Sequence, residues 1–209
     1  EGTTFRYHFT AGQDEVRFAM GIPYVEDNLR EFLARYNGHP ALRVETLCRT
    51  RRGRSVECLY LGRLAGQPQY RMLLTCRHHC CEAMASYVLE GVMEAMLAPG
   101  REANWWSEHV ECLVVPFMDK DGVEAGDQGK NRIPRDHNRD YGDDSIYESV
   151  RALKELAPAW SAGLLRITCD LHCPWIRGGR NERIYQVGSR WKSMWQSQQE
   201  FFRILEAAC

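Results

Sequence analysis

The chain has 209 residues, with 27 Lys and Arg against 28 Asp and Glu and a formal net charge of -1, so no global basic field points to nucleic acid. Its 44% hydrophobic content is that of a globular protein, and it has no continuous apolar run of about 18 residues of the kind that spans a bilayer. No nucleic-acid or membrane partner is expected, and the length suits one sizeable core.

Nine cysteines are an odd number, and their spacing is not that of a disulfide framework. Cys76, Cys112 and Cys169 fall in or beside apolar runs, where cysteine acts as a small hydrophobe. A reducing, cytoplasmic setting is the expectation.

In chain order, Phe5 to Phe9 and Glu15 to Gly21 read as two strands around Ala11-Gly12-Gln13-Asp14. Two strands bury no core alone, so residues 1–24 are expected to be the end of an upstream β-rich segment and residues 25–209 the main domain. Leu29, Phe32, Leu33 and Tyr36 make a helical stripe over Asp27 to Tyr36, closed by Asn37-Gly38. Ala41 to Leu61 reads as a hairpin whose arginine-rich turn, residues 49–54, is a solvated tip. Then come a strand at Tyr70 to Thr75 and a helix at Ala83 to Leu97, with Met84, Val88, Gly91, Val92, Ala95 and Met96 expected inside. A strand at Glu111 to Met118, a helix at Ser145 to Leu156, a strand at Leu164 to Asp170 and a helix at Trp191 to Ala207 complete the series. The alternation predicts an α/β fold with a mixed, largely parallel sheet and helices on both faces.

The chemistry concentrates at two strand ends. Thr75-Cys76-Arg77-His78-His79-Cys80-Cys81-Glu82 runs from a strand into a helix, and Cys169-Asp170-Leu171-His172-Cys173-Pro174-Trp175 leaves another strand. Strand ends are where α/β proteins place their sites. An imidazole and a carboxylate three residues apart can face one ion, and His79, Glu82 and His172 together would form a His2Glu set with one position open. Each part also has a plain reading: HxxE arises by chance, and a single histidine is commonly a satisfied core residue. The long segment between strand and helix carries Asp119-Lys120-Asp121-Gly122, Arg132, Arg135, Asp136, Asn138 and Arg139. Arginines and an asparagine in one loop suit capture of a carboxylate or oxyanion, or else form a polar surface loop.

Taken in order, an HxxE after a strand, a DG turn, an arginine, the D-x-N-R of Asp136 to Arg139 and the D-L-H of Asp170 to His172 resemble the zinc metallocarboxypeptidase superfamily. The match covers roughly residues 23–175, and Gly21-Ile22-Pro23-Tyr24 before a helix is similar to the cytosolic carboxypeptidase branch. The resemblance implies one Zn2+ per chain held by His79, Glu82 and His172. It makes Arg132 the group that polarises the scissile carbonyl, Asn138 and Arg139 the hold on the substrate's terminal carboxylate, and Asp136 the carboxylate behind the first histidine. The implied activity is hydrolysis of the C-terminal peptide bond of a peptide or protein.

The resemblance also implies a general-base glutamate on a strand beyond the last zinc histidine, and no such position follows His172. Glu182 lies in a Gly-rich stretch and Glu200 and Glu206 in a helical one. The expectation is therefore that residues 1–209 belong to a longer polypeptide and have little peptidase activity alone, with Glu182 as the fallback base. Two other functions fit parts of the pattern. One is an N-acyl amino acid amidohydrolase of the aspartoacylase and succinylglutamate desuccinylase kind. The other is a non-catalytic zinc module using Cys76, Cys80, Cys81, Cys169 and Cys173, although C-x2-C spacing is missing.

Overall fold

A computed structural model describes residues 4, 6–16, 18, 19, 21–174, 179 and 183–208. They form two compact units, Glu1–Cys173 and Pro174–Cys209. Phe5, Trp175 and Glu182, each used in the sequence reading, lie outside the described residues.

The first unit is built on five strands: β1 (Leu42–Arg49), β2 (Ser55–Gly62), β3 (Tyr70–Cys76), β4 (Val110–Val115) and β5 (Leu165–Leu171), in the spatial order β1-β2-β4-β3-β5. β1 and β2 form the expected hairpin, and β2 pairs antiparallel with β4. β3 pairs parallel with β4 and with β5. The sheet is mixed as expected, with as many antiparallel as parallel pairings, and its parallel half carries the candidate site. β4 is central, and all six of its residues are buried.

Among the described residues there are also six helices: α1 (Glu26–Ala34), α2 (Met84–Leu97), α3 (Arg101–His109), α4 (Lys120–Ala125) and α5 (Glu148–Ser161) in the first unit and α6 (Lys192–Ala208) in the second. The pleat sends alternate residues of β4 to opposite faces. Cys112 and Val114 join Leu29 and Phe32 of α1 and Leu89 and Met93 of α2, while Leu113 and Val115 join Val150, Leu153 and Trp160 of α5. Each fully buried large side chain of this kind contributes about 1.5–3 kcal/mol. The two faces are thus each sealed by helix, as an α/β fold requires.

Several elements differ from the sequence reading. None of the described residues before Glu26 is in a strand or helix. The apolar alternation there is satisfied locally, Tyr7 meeting Phe9 and Phe18 edge-on at 5.2 and 5.6 Å between ring centres. On α2 the inner residues are Ala85, Ser86, Leu89, Met93, Met96 and Leu97, while Met84 and Val88 are 46% and 54% exposed. That helix is apolar nearly all round, so periodicity alone did not select its face. α3 lacks an apolar stripe, and Ala103 is its only buried residue.

The second unit contains α6, in which no described residue is buried. Glu200 pairs with Arg203 along this helix, and Glu206 lies one turn further on. No helix among the described residues is long and apolar enough to cross a membrane.

Candidate metal centre

The parallel register of β3 and β5 sets Thr75 beside Asp170 and Cys76 beside Leu171. His78 and His79 therefore leave the sheet next to His172. The turn after β3 is held by Arg77, a buried residue with φ 59. Its guanidinium donates to the Cys80 carbonyl at 3.0 Å and to the Tyr24 carbonyl and Ser86 hydroxyl at 2.9 Å each. A buried guanidinium with its donors satisfied fixes the HxxE turn against the start of α2.

Glu82 is the hub. Its carboxylate, 1% exposed, has Oε1 at 3.1 Å from His79 Nδ1 and Oε2 at 2.8 Å from His172 Nδ1. Lys130 Nζ lies 2.7 Å from Oε1, and the Cys173 amide donates to Oε2 at 2.9 Å. Burial alone would raise the Glu82 pKa, but the hydrogen bonds from His172, His79 and Lys130 outweigh it and hold the carboxyl well below the usual range. One donor atom from each of His79, Glu82 and His172 falls within 4.8 Å of the others. The three residues that the sequence put forward as ligands are brought together.

Each histidine is backed by a second carboxylate. His79 Nε2 is 3.7 Å from Asp136 Oδ2, the position proposed for the orienting carboxylate. His172 Nε2 is 2.6 Å from Asp170 Oδ2. Burial would lower the His172 pKa, yet Asp170 and Glu82 together raise it to about 10. Asp170 is itself held low because its hydrogen bonds to His172 and His78 exceed the effect of burial. Two imidazoles turned Nδ1-inward on a buried carboxylate, with further carboxylates behind, are a donor set that suits a cation of the zinc type.

Asn138 and Arg139 form a one-turn 3-10 helix, His137–Arg139, capped by Asp136, whose carboxylate accepts from the Arg139 amide at 3.1 Å. Asn138 Nδ2 lies 3.4 Å from His172 Nε2, at the edge of the triad. Arg139 is exposed, and its guanidinium has no hydrogen bond or ion pair among the described residues. Arg132 lies against the HxxE turn: its Nη2 donates to Asp119 at 2.6 Å and to Asp127 at 3.2 Å and lies 3.7 Å from Cys80 Sγ. Its Nε is buried without a hydrogen-bond partner among the described residues. Asp119 in turn caps α4 by accepting from Gly122 N at 2.9 Å.

Sequence reasoning gave no role to Lys130, His78, Asp170 and Tyr141, although it placed His78 and Asp170 at the two strand ends. The doubled histidine of Arg77-His78-His79 and the aspartate two before His172 were the available signals. The cysteines do not gather: no cluster of three or more possible ligands among the described residues includes one. Burial pushes the Cys76 and Cys80 thiols up to about 12, which disfavours thiolates.

One contact under the turn is unusually close. Gly129 has φ +81, and a Cβ there would sit 2.6 Å from Cys80 Sγ, 2.7 Å from Cys80 N and 3.3 Å from His79 Cα. Gly129→Ala is expected to lose about 3 kcal/mol of stability, from the left-handed backbone and the collision with the HxxE backbone together. Urea unfolding at pH 7 measures it, and a loss under about 1 kcal/mol would mean that the loop simply moves aside.

The fold and site together describe an α/β protein with a candidate metal triad at the ends of adjacent parallel strands. Searched against protein-family models, the chain matches none. Cytosolic carboxypeptidase 3 of Mus musculus is 25% identical over 230 residues, covering 99% of this chain and 22% of the relative. Cytosolic carboxypeptidase 2 of Homo sapiens is 27% identical over 147 residues, covering 66% of this chain and 16% of the relative. The chain thus spans about a fifth of the length of the curated relatives it matches. Among solved structures, a metallo-carboxypeptidase from Burkholderia cenocepacia superposes with a TM-score of 0.62 at 26% identity, covering 72% of this chain and 41% of that one. The chain is related to the zinc carboxypeptidase superfamily.

Proposed function

We propose that this chain carries the metal-binding part of a zinc-dependent metallocarboxypeptidase that hydrolyses the C-terminal peptide bond of a peptide or protein. The observation that carries the reading is the convergence of His79 Nδ1 and His172 Nδ1 on the two oxygens of Glu82, at 3.1 and 2.8 Å. When bound there, Zn2+ supplies Lewis-acid polarisation and lowers the pKa of a coordinated water toward 7.

The chain's own residues supply the rest. Asp136 and Asp170 keep the Nδ1 edges of His79 and His172 turned toward Glu82. The exposed guanidinium of Arg139, beside Asn138 at the rim of the triad, is suited to a substrate's terminal carboxylate, for which a planar fork of donors is the natural partner. Arg132 is the proposed oxyanion donor. Asp119 and Asp127 occupy its Nη2, while its Nη1 makes no hydrogen bond among the described residues. The peptidase reading is preferred to the N-acyl amino acid amidohydrolase because the relatives and structural neighbours are carboxypeptidases by name. A cytosolic setting belongs to the same reading, since the curated relatives are named cytosolic and the eight described cysteines are free thiols.

The roles of the two arginines separate kinetically. In a longer protein that contains this chain and hydrolyses a peptide substrate, Arg132→Ala is expected to lower kcat about a hundredfold with little change in KM, because an oxyanion donor acts in the transition state. Arg139→Ala is expected to raise KM chiefly. The same pattern from both variants would remove the distinction, and an Arg132→Ala enzyme with normal kcat would leave the guanidinium as a strut for Asp119. A preparation that takes up zinc yet hydrolyses only N-acyl amino acids would move the whole reading to the amidohydrolases.

A further inference from the structure

Behind the triad lies a second set of hydrogen bonds that the proposed reaction does not use. Tyr141 OH is 2.7 Å from His78 Nε2, and His78 Nδ1 is 2.8 Å from Asp170 Oδ1. The Thr75 hydroxyl donates to the same Asp170 oxygen at 2.9 Å. The other oxygen, Oδ2, is the one that faces His172 Nε2 at 2.6 Å. His78 is 2% exposed, whereas Tyr141 is 42% exposed, so the series runs from the protein surface to the back of a candidate ligand.

We propose that His78 and Tyr141 are positioning residues that hold the Asp170 carboxylate, and through it the ring of His172, in the orientation and tautomer that metal binding needs. This rests on the metal-site reading of His79, Glu82 and His172. An ionised carboxylate only accepts hydrogen bonds. His78 must therefore carry its hydrogen on Nδ1 to meet Asp170, which leaves Nε2 as the acceptor for the Tyr141 hydroxyl. By the same rule His172 carries hydrogen on Nε2 toward Asp170 and, without a metal, on Nδ1 toward Glu82; the Nδ1 hydrogen is the one a metal would displace, while Asp170 keeps the hydrogen on Nε2 and so leaves Nδ1 as the ligand atom. Thr75 and His78 share Oδ1, so the carboxylate is restrained on one edge by two donors and presents the other edge to His172. Removal of the His78 ring leaves Thr75 as the remaining donor on that edge and loosens the carboxylate, and the His172 ring with it.

Asp170 alone could do this with Thr75, so the claim for His78 and Tyr141 is quantitative. Outer carboxylates and their supports typically change metal affinity by about 10–100-fold when removed. His78→Ala is expected to weaken Zn2+ binding about tenfold, and His78→Asn, whose amide can replace the Nδ1 donor, to recover to within about threefold of the parent. Tyr141→Phe removes only the hydroxyl at a partly exposed position and is expected to weaken binding about threefold. The affinities are read by competition with a chromophoric chelator. The Co2+-loaded proteins give an independent readout: the d–d absorption envelope of His78→Ala and of Tyr141→Phe is expected to shift, because the angle of one nitrogen ligand changes. A residue with only a general packing role would alter thermal stability without altering that spectrum.

The outcomes separate the proposal from the reading beneath it. If the parent protein binds neither Zn2+ nor Co2+, or if His79→Ala binds as tightly as the parent, the metal-site reading fails. If the parent binds, His79→Ala does not, and both His78→Ala and Tyr141→Phe keep the parental affinity and Co2+ spectrum, the positioning role fails. It also fails if the parent binds two ions per chain and His78→Ala loses one, since His78, Asp170 and His172 likewise offer donor atoms within 4.8 Å of one another and would then be ligands themselves. Should His78→Ala not fold, Tyr141→Phe and His78→Asn still decide the matter: a shifted Co2+ spectrum in the first with a near-parental one in the second supports the role, and parental spectra in both overturn it.

Discussion

Glu82→Gln is expected to weaken Zn2+ binding by a hundredfold or more while leaving the fold in place. Glu82 offers one oxygen to each histidine, and its carboxylate is 1% exposed. Zinc sites with a full set of protein ligands bind with about 10–16 kcal/mol, or roughly 3 kcal/mol for each ligand, and 1.4 kcal/mol is a factor of ten. The glutamine keeps the volume and one acceptor oxygen but loses the negative charge that offsets the dication. It also puts an amide where His79, His172, Lys130 and the Cys173 amide all direct donors. Some loss of stability in the metal-free protein is therefore expected too, about 1–3 kcal/mol for a buried donor left without an acceptor. Chelator competition measures the first effect and urea unfolding in the presence of a chelator the second. A dissociation constant within threefold of the parent would remove Glu82 from the metal site and leave it as an anchor for Lys130.

Much of this site could be read from residues because strand ends announce themselves. Tyr70 to Thr75 and Leu164 to Asp170 are apolar runs that stop at polar side chains of the types that bind metals. Once parallel pairing of β3 and β5 is granted, a register with Thr75 beside Asp170 follows closely from the run lengths. The support around the triad was harder to see. A histidine beside a motif histidine carries no spacing signal, and the partnership of His78 with Asp170 and Tyr141 joins residues 92 and 63 positions away. The tie between Arg132 and Asp119 depends on the path of a loop whose only punctuation is Gly122, Gly126 and Gly129.

The fold shows the same division between local and long-range information. The helical stripe at Leu29, Phe32 and Leu33 was sufficient for α1, and the Arg-rich turn for the β1–β2 hairpin. α4 was hidden because a six-residue helix has no room for a stripe, although Asp119 before it and Gly126 after it, at φ 71, are its start and stop signals. Tyr7 and Phe9 imitated a strand because alternation records which side a residue faces and not whether a partner strand is present.

Asp140→Ala is expected to cost about 3 kcal/mol at pH 7, the largest stability loss of any single carboxylate in the loop before α5. Asp140 is fully buried. Oδ1 accepts from Arg135 Nε at 2.6 Å, and Oδ2 accepts from the Ile146 and Tyr147 amides at 2.9 and 2.8 Å. It therefore joins the segment that carries Asp136, Asn138, Arg139 and Tyr141 to the start of α5, and without it two amides and a half-buried guanidinium lose their acceptor. Burial would raise its pKa, but the Tyr147 amide, Arg135 and the Ile146 amide outweigh that and hold the carboxyl low. A folded-state pKa below the unfolded value of about 3.9 means that the unfolded chain binds the proton first as pH falls. The contribution of Asp140 is then complete above about pH 5 and is lost as pH drops through the unfolded and then the folded value. Other carboxylates titrate alike in parent and variant, so the difference in unfolding free energy between them isolates this one. That difference is expected to be near its full value from pH 5 to 8 and to shrink below about pH 4. A gap that stays constant into acid would show that the loss in Asp140→Ala comes from the cavity and not from the carboxylate's hydrogen bonds. Because Asp136 backs His79 from the same loop, the variant is also expected to bind zinc more weakly at pH 7, and Asp140→Asn, which keeps acceptor oxygen and shape, to lie between the two in both measurements.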